Sequence, residues 1–199
     1  MNTLFDMMQC YGKPMTKMAA VRNAIGDVAE QFACAALGMD RLAVGGRKEV
    51  CSDALWRGHP VEIKSVGHNG QALIYKFRLE KEMAAHGPDY PYIFVRHDCR
   101  ITKTHSGQIV EHFRDHPPRL LITTLGIIQA ALLDVQPRKF SLFQKQYVTK
   151  YKRATVGYNR KGYIDGGWQF NLKRLAVASE TSVNCIWMGE PLRVACQHT

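Results

Sequence analysis

The most constraining feature of this chain is a period-two pattern that folds back on itself between residues 52 and 66. In "SDALWRGHPVEIKSV" the segments on either side of Arg57-Gly58-His59-Pro60 both alternate, and the four residues between them supply a turn. Successive strand side chains point to opposite faces, so a hairpin places Ser52, Ala54, Trp56, Val61, Ile63 and Ser65 on one side. Asp53, Glu62 and Lys64 share the other side. With the turn centred on Gly58-His59, Asp53 stands opposite Lys64 and Leu55 opposite Glu62. The first face is mostly apolar and belongs on a core. The second gathers two acids and an amine.

That second face has the makings of a metal site. Diagonal cross-strand neighbours have Cβ atoms about 7–8 Å apart, near enough for two carboxylates to share a divalent cation. Hard oxygen donors suit Mg²⁺, with Mn²⁺ as a substitute; both retain waters and take phosphate oxygens as further ligands. A lysine at the same edge positions or deprotonates an attacking water, or stabilises charge developing on a phosphate. A hairpin carrying only an Asp53–Lys64 ion pair is the plainer alternative.

The flanking sequence supplies a framework. Met18, Val21, Ile25, Val28, Phe32 and Ala36 recur at helical steps and predict a helix over 18–37. Glu30 lies roughly opposite that stripe, among Ala19, Gly26, Ala33 and Leu37, so it either faces protein or sits on an exposed rim. A helix is expected over 71–86, ending before Gly87-Pro88, and a strand over 90–97. A short apolar run at 120–122 leads into a further helix, capped by Thr123 or Thr124, that stops before Pro137. Helix, hairpin, helix, strand and helix together predict an α/β fold, a mixed central sheet flanked by helices.

These residues resemble the PD-(D/E)xK nuclease superfamily, the restriction endonuclease-like fold. The likeness covers residues 18–100 and runs through Glu30, Asp53 and Glu62-Ile63-Lys64, with Ser52 where the family's name has proline. The resemblance implies that Asp53, Glu62 and the Ile63 carbonyl hold Mg²⁺, that Lys64 is the catalytic lysine, and that Glu30 joins the metal shell. Gln71 to Tyr75 is similar to the Q-x-x-x-Y signature of the exonuclease-like branch, whose glutamine and tyrosine line the DNA path. On a helix those two residues share a face, one turn apart.

Charge points to the same class of partner. Of 27 Lys and Arg, ten fall within residues 136–175, against one of the 17 acids, so one segment carries nearly all of the net charge of +10. There Lys145, Lys150, Lys152, Arg153, Arg160 and Lys161 alternate with aromatics and glycines, a pattern of β-hairpins with phosphate-neutralising cations. An acidic partner protein is the rival reading. The expected organisation is a nuclease core over 1–135 and a basic, β-rich C-terminal extension over 136–199, part of the same domain and contacting nucleic acid.

Other chemistries find less support. Six scattered cysteines without a C-x-x-C pair argue against a zinc ribbon or iron–sulfur cluster and read as free thiols in a reducing cytoplasm. The start of the chain lacks the pattern of a signal peptide, and no apolar run is long enough to span a membrane. No histidine pair has H-E-x-x-H spacing; His112 and His116 precede Pro117-Pro118, and His59 and His68 read as loop residues near the hairpin. The expected activity is Mg²⁺-dependent endonucleolytic cleavage of duplex DNA by a homodimer, because one such site cuts one strand. Junction-resolving and exonuclease-like variants, an RNA substrate, and a non-catalytic nucleic-acid-binding protein on the same fold are the alternatives.

Overall fold

The computed structural model describes residues 18–42, 52–100, 106–133, 167–175 and 186–188. In chain order the elements are α1 (Met18–Leu37), β1 (Asp40–Arg41), β2 (Ala54–Trp56), β3 (His59–Val66), β4 (Gln71–Tyr75) and α2 (Lys76–His86). They continue with β5 (Pro91–Arg96), α3 (Ser106–Asp115), β6 (Arg119–Thr124), α4 (Leu125–Leu132), β7 (Gly167–Asn171) and β8 (Ile186–Met188). A six-stranded mixed sheet runs β1-β2-β3-β5-β6-β8, and β4 and β7 pair separately. All pairs in the large sheet are antiparallel except β3 with β5, which the β4–α2 crossover joins in parallel.

The sheet has a core on each face. On one side Val61, Ile63, Ile93 and Val95 pack against Val28, Phe32 and Ala33 of α1 and Ile109 and Phe113 of α3. The rings of Phe32 and Phe113 meet edge to face at 6.1 Å. On the other, Tyr92, Phe94 and Leu121 pack with Leu79 of α2, Leu125 and Ile128 of α4, and Ala72, Ile74 and Phe170 of the two-stranded sheet. Strands buried on both faces read as continuous apolar runs, and "YIFV" in β5 is such a run. The mixed sheet with helices on both faces agrees with the sequence expectation.

One element differs. Residues 71–75 form a strand, and the helix expected over 71–86 begins at Lys76. Gln71 and Leu73 are exposed while Ala72 and Ile74 are buried, so the segment alternates with period two. Its partner β7 lies about a hundred residues downstream, with Gln71 opposite Asn171 and Tyr75 opposite Gly167. Most of the basic segment, including Lys145, Lys150, Lys152, Arg153, Arg160 and Lys161, lies outside the described residues.

The joint between α4 and the loop before β5 is close-packed. Gly126 donates its N–H to the Pro88 carbonyl at 2.8 Å, and Leu125 donates to the Tyr90 carbonyl at 2.9 Å. A Cβ on Gly126 would stand 2.9 Å from the Pro88 Cβ and 3.1 Å from its carbonyl oxygen. Gly126→Ala is therefore expected to destabilise the fold by about 1–3 kcal/mol, through overpacking. Urea unfolding would show this as a lower midpoint with an unchanged m-value.

Candidate active site

The hairpin turn sets the register of the site. Arg57 at φ 53° and Gly58 at φ 80° both occupy the left-handed region, which makes a two-residue turn whose twist matches its strands. Trp56 therefore pairs with His59, Leu55 with Pro60 and Ala54 with Val61. This corrects the expected register by two residues, because the turn is centred on Arg57-Gly58. A shift of two keeps every side chain on its face. The paired register ends at Ala54, and Asp53, expected opposite Lys64, instead gives its N–H to the Val61 carbonyl.

Asp53 lies one residue outside β2 and is tied to β3 through its backbone and its side chain. Its N–H donates to the Val61 carbonyl at 2.9 Å. Its Oδ2 accepts the Ile63 N–H at 2.8 Å. The N–H and C=O of a strand residue leave the same edge, so the Ile63 carbonyl also faces the Asp53 side. The half-buried Asp53 carboxylate is thus held against the edge from which a backbone oxygen projects.

Glu62 has no exposed surface. Lys64 and Arg78 of α2 both donate to its Oε1, while its Oε2 is buried with no hydrogen-bond partner. The Arg78 Nε also donates to Glu82 Oε1 at 2.6 Å, and the Tyr92 hydroxyl donates to Glu82 Oε2. Glu82 is only 2 % exposed. The result is a chain of alternating charges running from β3 through α2 to β5. Arg78, Glu82 and Tyr92 were not singled out from the sequence; the one local signal was the Arg78–Glu82 spacing of four on a helix.

Lys64 completes the cluster. Burial first and the Arg78 charge second, against the opposing pull of Asp53, Glu82 and Glu30, lower its amine to about 8. Near neutral pH this amine gives up its proton far more readily than an ordinary lysine.

Glu30 sits on α1, where the helix meets β1. Arg41 donates to it at 3.2 Å and also pairs with Asp27. Burial raises the Glu30 carboxyl, and the Asp53 charge adds to the rise, so the two acids are close enough to repel. Of the two readings of Glu30, the structure supports the one facing protein. Among the described residues, no three His, Cys, Asp or Glu side chains form a metal-binding group. The oxygen donors nearest the hairpin are the Asp53 carboxylate, which holds the Ile63 N–H, and the buried Glu62 carboxylate, which Lys64 and Arg78 hold.

The remaining expected site residues are placed as follows. Gln71 and Tyr75 stand at opposite ends of β4, about 13 Å apart by strand pitch, not one helical turn apart. His59 and His68 are exposed. His112 lies on α3 and bonds Asp98 at 2.7 Å, with its ring stacked on His116.

One further pair, Ser65 Oγ and His97 Nε2 at 3.0 Å, has the look of a nucleophile and its base. The Cys99 N–H, however, donates to His97 Nδ1 at 3.2 Å. That fixes the proton on Nε2, so His97 donates to Ser65 and does not activate it.

No protein-family model matches the chain, and no curated protein or solved structure matches it significantly.

In the metal-free protein the Lys64 amine is expected to titrate near pH 8, followed by NMR of ¹³C-labelled lysine. Arg78→Gln moves that value up, because it removes a neighbouring cation, and Asp53→Asn moves it down. The linkage has a definite sign. The folded value lies below the unfolded value of 10.5, so Lys64's contribution to stability is full above 10.5 and is lost as pH falls through about 8.

Proposed function

We propose that the protein is a Mg²⁺-dependent nuclease of the restriction endonuclease-like architecture, hydrolysing phosphodiester bonds in DNA. The observation that carries this reading is Glu62 Oε2, a carboxylate oxygen buried without a hydrogen-bond partner on the residue next to Ile63, whose N–H the Asp53 carboxylate holds. Lys64 and Arg78 already balance the carboxylate's charge through Oε1, and a buried oxygen left without a donor costs about 1–3 kcal/mol, which a cation meeting Oε2 would relieve. The element order supports the reading as well: a helix, a three-stranded meander, and a crossover helix leading to a parallel strand.

The roles follow from position. Asp53 and Glu62, with the Ile63 carbonyl, would hold the metal, and Glu30 would join its shell from α1. Mg²⁺ supplies charge neutralisation at the phosphate and a more acidic bound water. Lys64 sits within reach of the same centre and orients the attacking water or takes its proton. Arg78 is exposed enough, at 38 %, to reach a phosphate oxygen while its neighbour Glu82 stays buried. The basic residues of 136–175, with Lys145, Lys150, Lys152, Arg153, Arg160 and Lys161 foremost, would neutralise the DNA backbone. Gln71 and Tyr75 on β4 would contact it nearer the site. Two copies would cut both strands of a duplex.

The test uses supercoiled plasmid, linear duplex and a four-way junction, each with Mg²⁺ or EDTA. Metal-dependent cleavage is expected, and Asp53→Asn or Lys64→Ala should reduce it by roughly 100-fold or more while DNA affinity stays within a few fold. Discrete bands indicate a restriction enzyme, junction-only cutting a resolvase, and a smear an exonuclease. Binding without cleavage in the wild type would instead mark a non-catalytic DNA-binding protein.

A further inference from the structure

Beside the hairpin turn lies a cavity of about 410 Å³, within the roughly 300–1,000 Å³ of small-molecule sites. Its lining includes Trp56, Arg57 and His59 from the turn, and His86, Asp89 and Tyr90 from the segment between α2 and β5. The Arg57 guanidinium lies 5.8 Å from the centre of the Trp56 ring. His86 stacks on Tyr90 at 4.3 Å and 17°. Tyr90 is buried, and its hydroxyl is fixed to Ser52 Oγ at 3.0 Å, next to Asp53 in the chain. Burial, opposed by the Ser52 hydrogen bond and helped by the charges of Glu82 and Asp53, pushes that hydroxyl up to about 12.

The lining selects among ligand classes. Free phosphate would leave the indole and the stacked rings without a role. A purely apolar ligand would strand Arg57 and Asp89, both exposed at the mouth. A nucleobase matches both features, with a flat π-face for the rings and mixed donor and acceptor edges for a carboxylate and a guanidinium. Along β3, His59 and Glu62 are about 10 Å apart by strand pitch, within the reach of neighbouring nucleotides of one DNA strand.

We infer that this cavity holds an unstacked base of the DNA substrate, close to the scissile phosphate. The inference rests on the nuclease reading and narrows its substrate to DNA carrying an unpaired nucleotide near the cut. An intact duplex fills the pocket only by extruding a base, which costs unstacking energy that a single strand or a bulge does not pay.

The test is fluorescence anisotropy of the full-length protein in EDTA, so that no cleavage occurs. Its ligands are a single strand, a duplex with one unpaired nucleotide, and an intact duplex. The first two should bind more tightly than the third. Trp56→Ala should weaken them about tenfold or more and leave the intact duplex within twofold, and Trp56→Phe should restore most of the loss. Arg57→Asn, at an exposed left-handed position that asparagine tolerates, should give a smaller loss of the same pattern should Trp56→Ala fail to fold. The proposal is overturned if the Trp56 variants weaken all three DNAs equally or none of them. It is also overturned if deoxynucleoside monophosphates alone bind with the same dependence on Trp56, since the site then serves a free nucleotide. Pocket-dependent discrimination without Mg²⁺-dependent cleavage by the wild type would remove the nuclease reading and leave the pocket. Cleavage without discrimination would do the reverse.

Discussion

A carboxylate with no access to water must find its counter-charges inside the protein, and Glu62 imposes that condition on everything around β3. Removing it from solvent would cost several kcal/mol if it were left alone. Lys64 supplies one cation from two residues along the same strand. Arg78 supplies the second only because the crossover places α2 over this face of the sheet. Arg78 then needs its own anion, Glu82 provides it, and Tyr92 of β5 takes the remaining Glu82 oxygen. The docking of α2 is therefore fixed by charge pairing as much as by Leu79 in the apolar core. Apolar residues of similar volume would often serve stability as well or better, so a buried polar chain of this length points to chemistry.

The parts of this arrangement legible in the sequence are those governed by parity. Alternation put Glu62 and Lys64 on one face of β3 and Val61 and Ile63 on the other, and a two-residue change of register with β2 cannot undo that. The register itself depended on whether Arg57 would adopt a left-handed conformation. An arginine gives little sign of doing so, because the usual marker for such a turn is Asn-Gly or Asp-Gly. The Q-A-L-I-Y stretch shows the opposite problem. Its period-two pattern was present, but five residues ahead of a true helix also fit helical spacing. What decided the matter was a pairing partner at 167–171, beyond the reach of local pattern.

Arg78 and Glu82 were hidden for a different reason. A four-residue charge spacing on a helix is ordinary surface composition. Its meaning changes only when the helix turns that face towards a buried acid. The cavity at the turn was equally out of view, because it joins residues 56–60 to 86–91 across the end of the sheet. Sequence showed the acids and the lysine on one strand ribbon. The fold showed what faces them.

The turn also links the two sites mechanically. A two-residue turn leaves no slack between Trp56 and His59, and from His59 the strand pitch alone fixes the distance to Glu62. On the other side, the Tyr90–Ser52 hydrogen bond joins the pocket to the residue preceding Asp53. A base seated among these rings would therefore determine which phosphate reaches the carboxylates. Under the proposed reading, selection comes from where the strand can be unstacked, with the basic segment holding the backbone whatever its sequence. The turn at Arg57-Gly58 would set that spacing by the same constraint that fixed the faces of β3: strands offer only two sides, and a two-residue turn fixes their register.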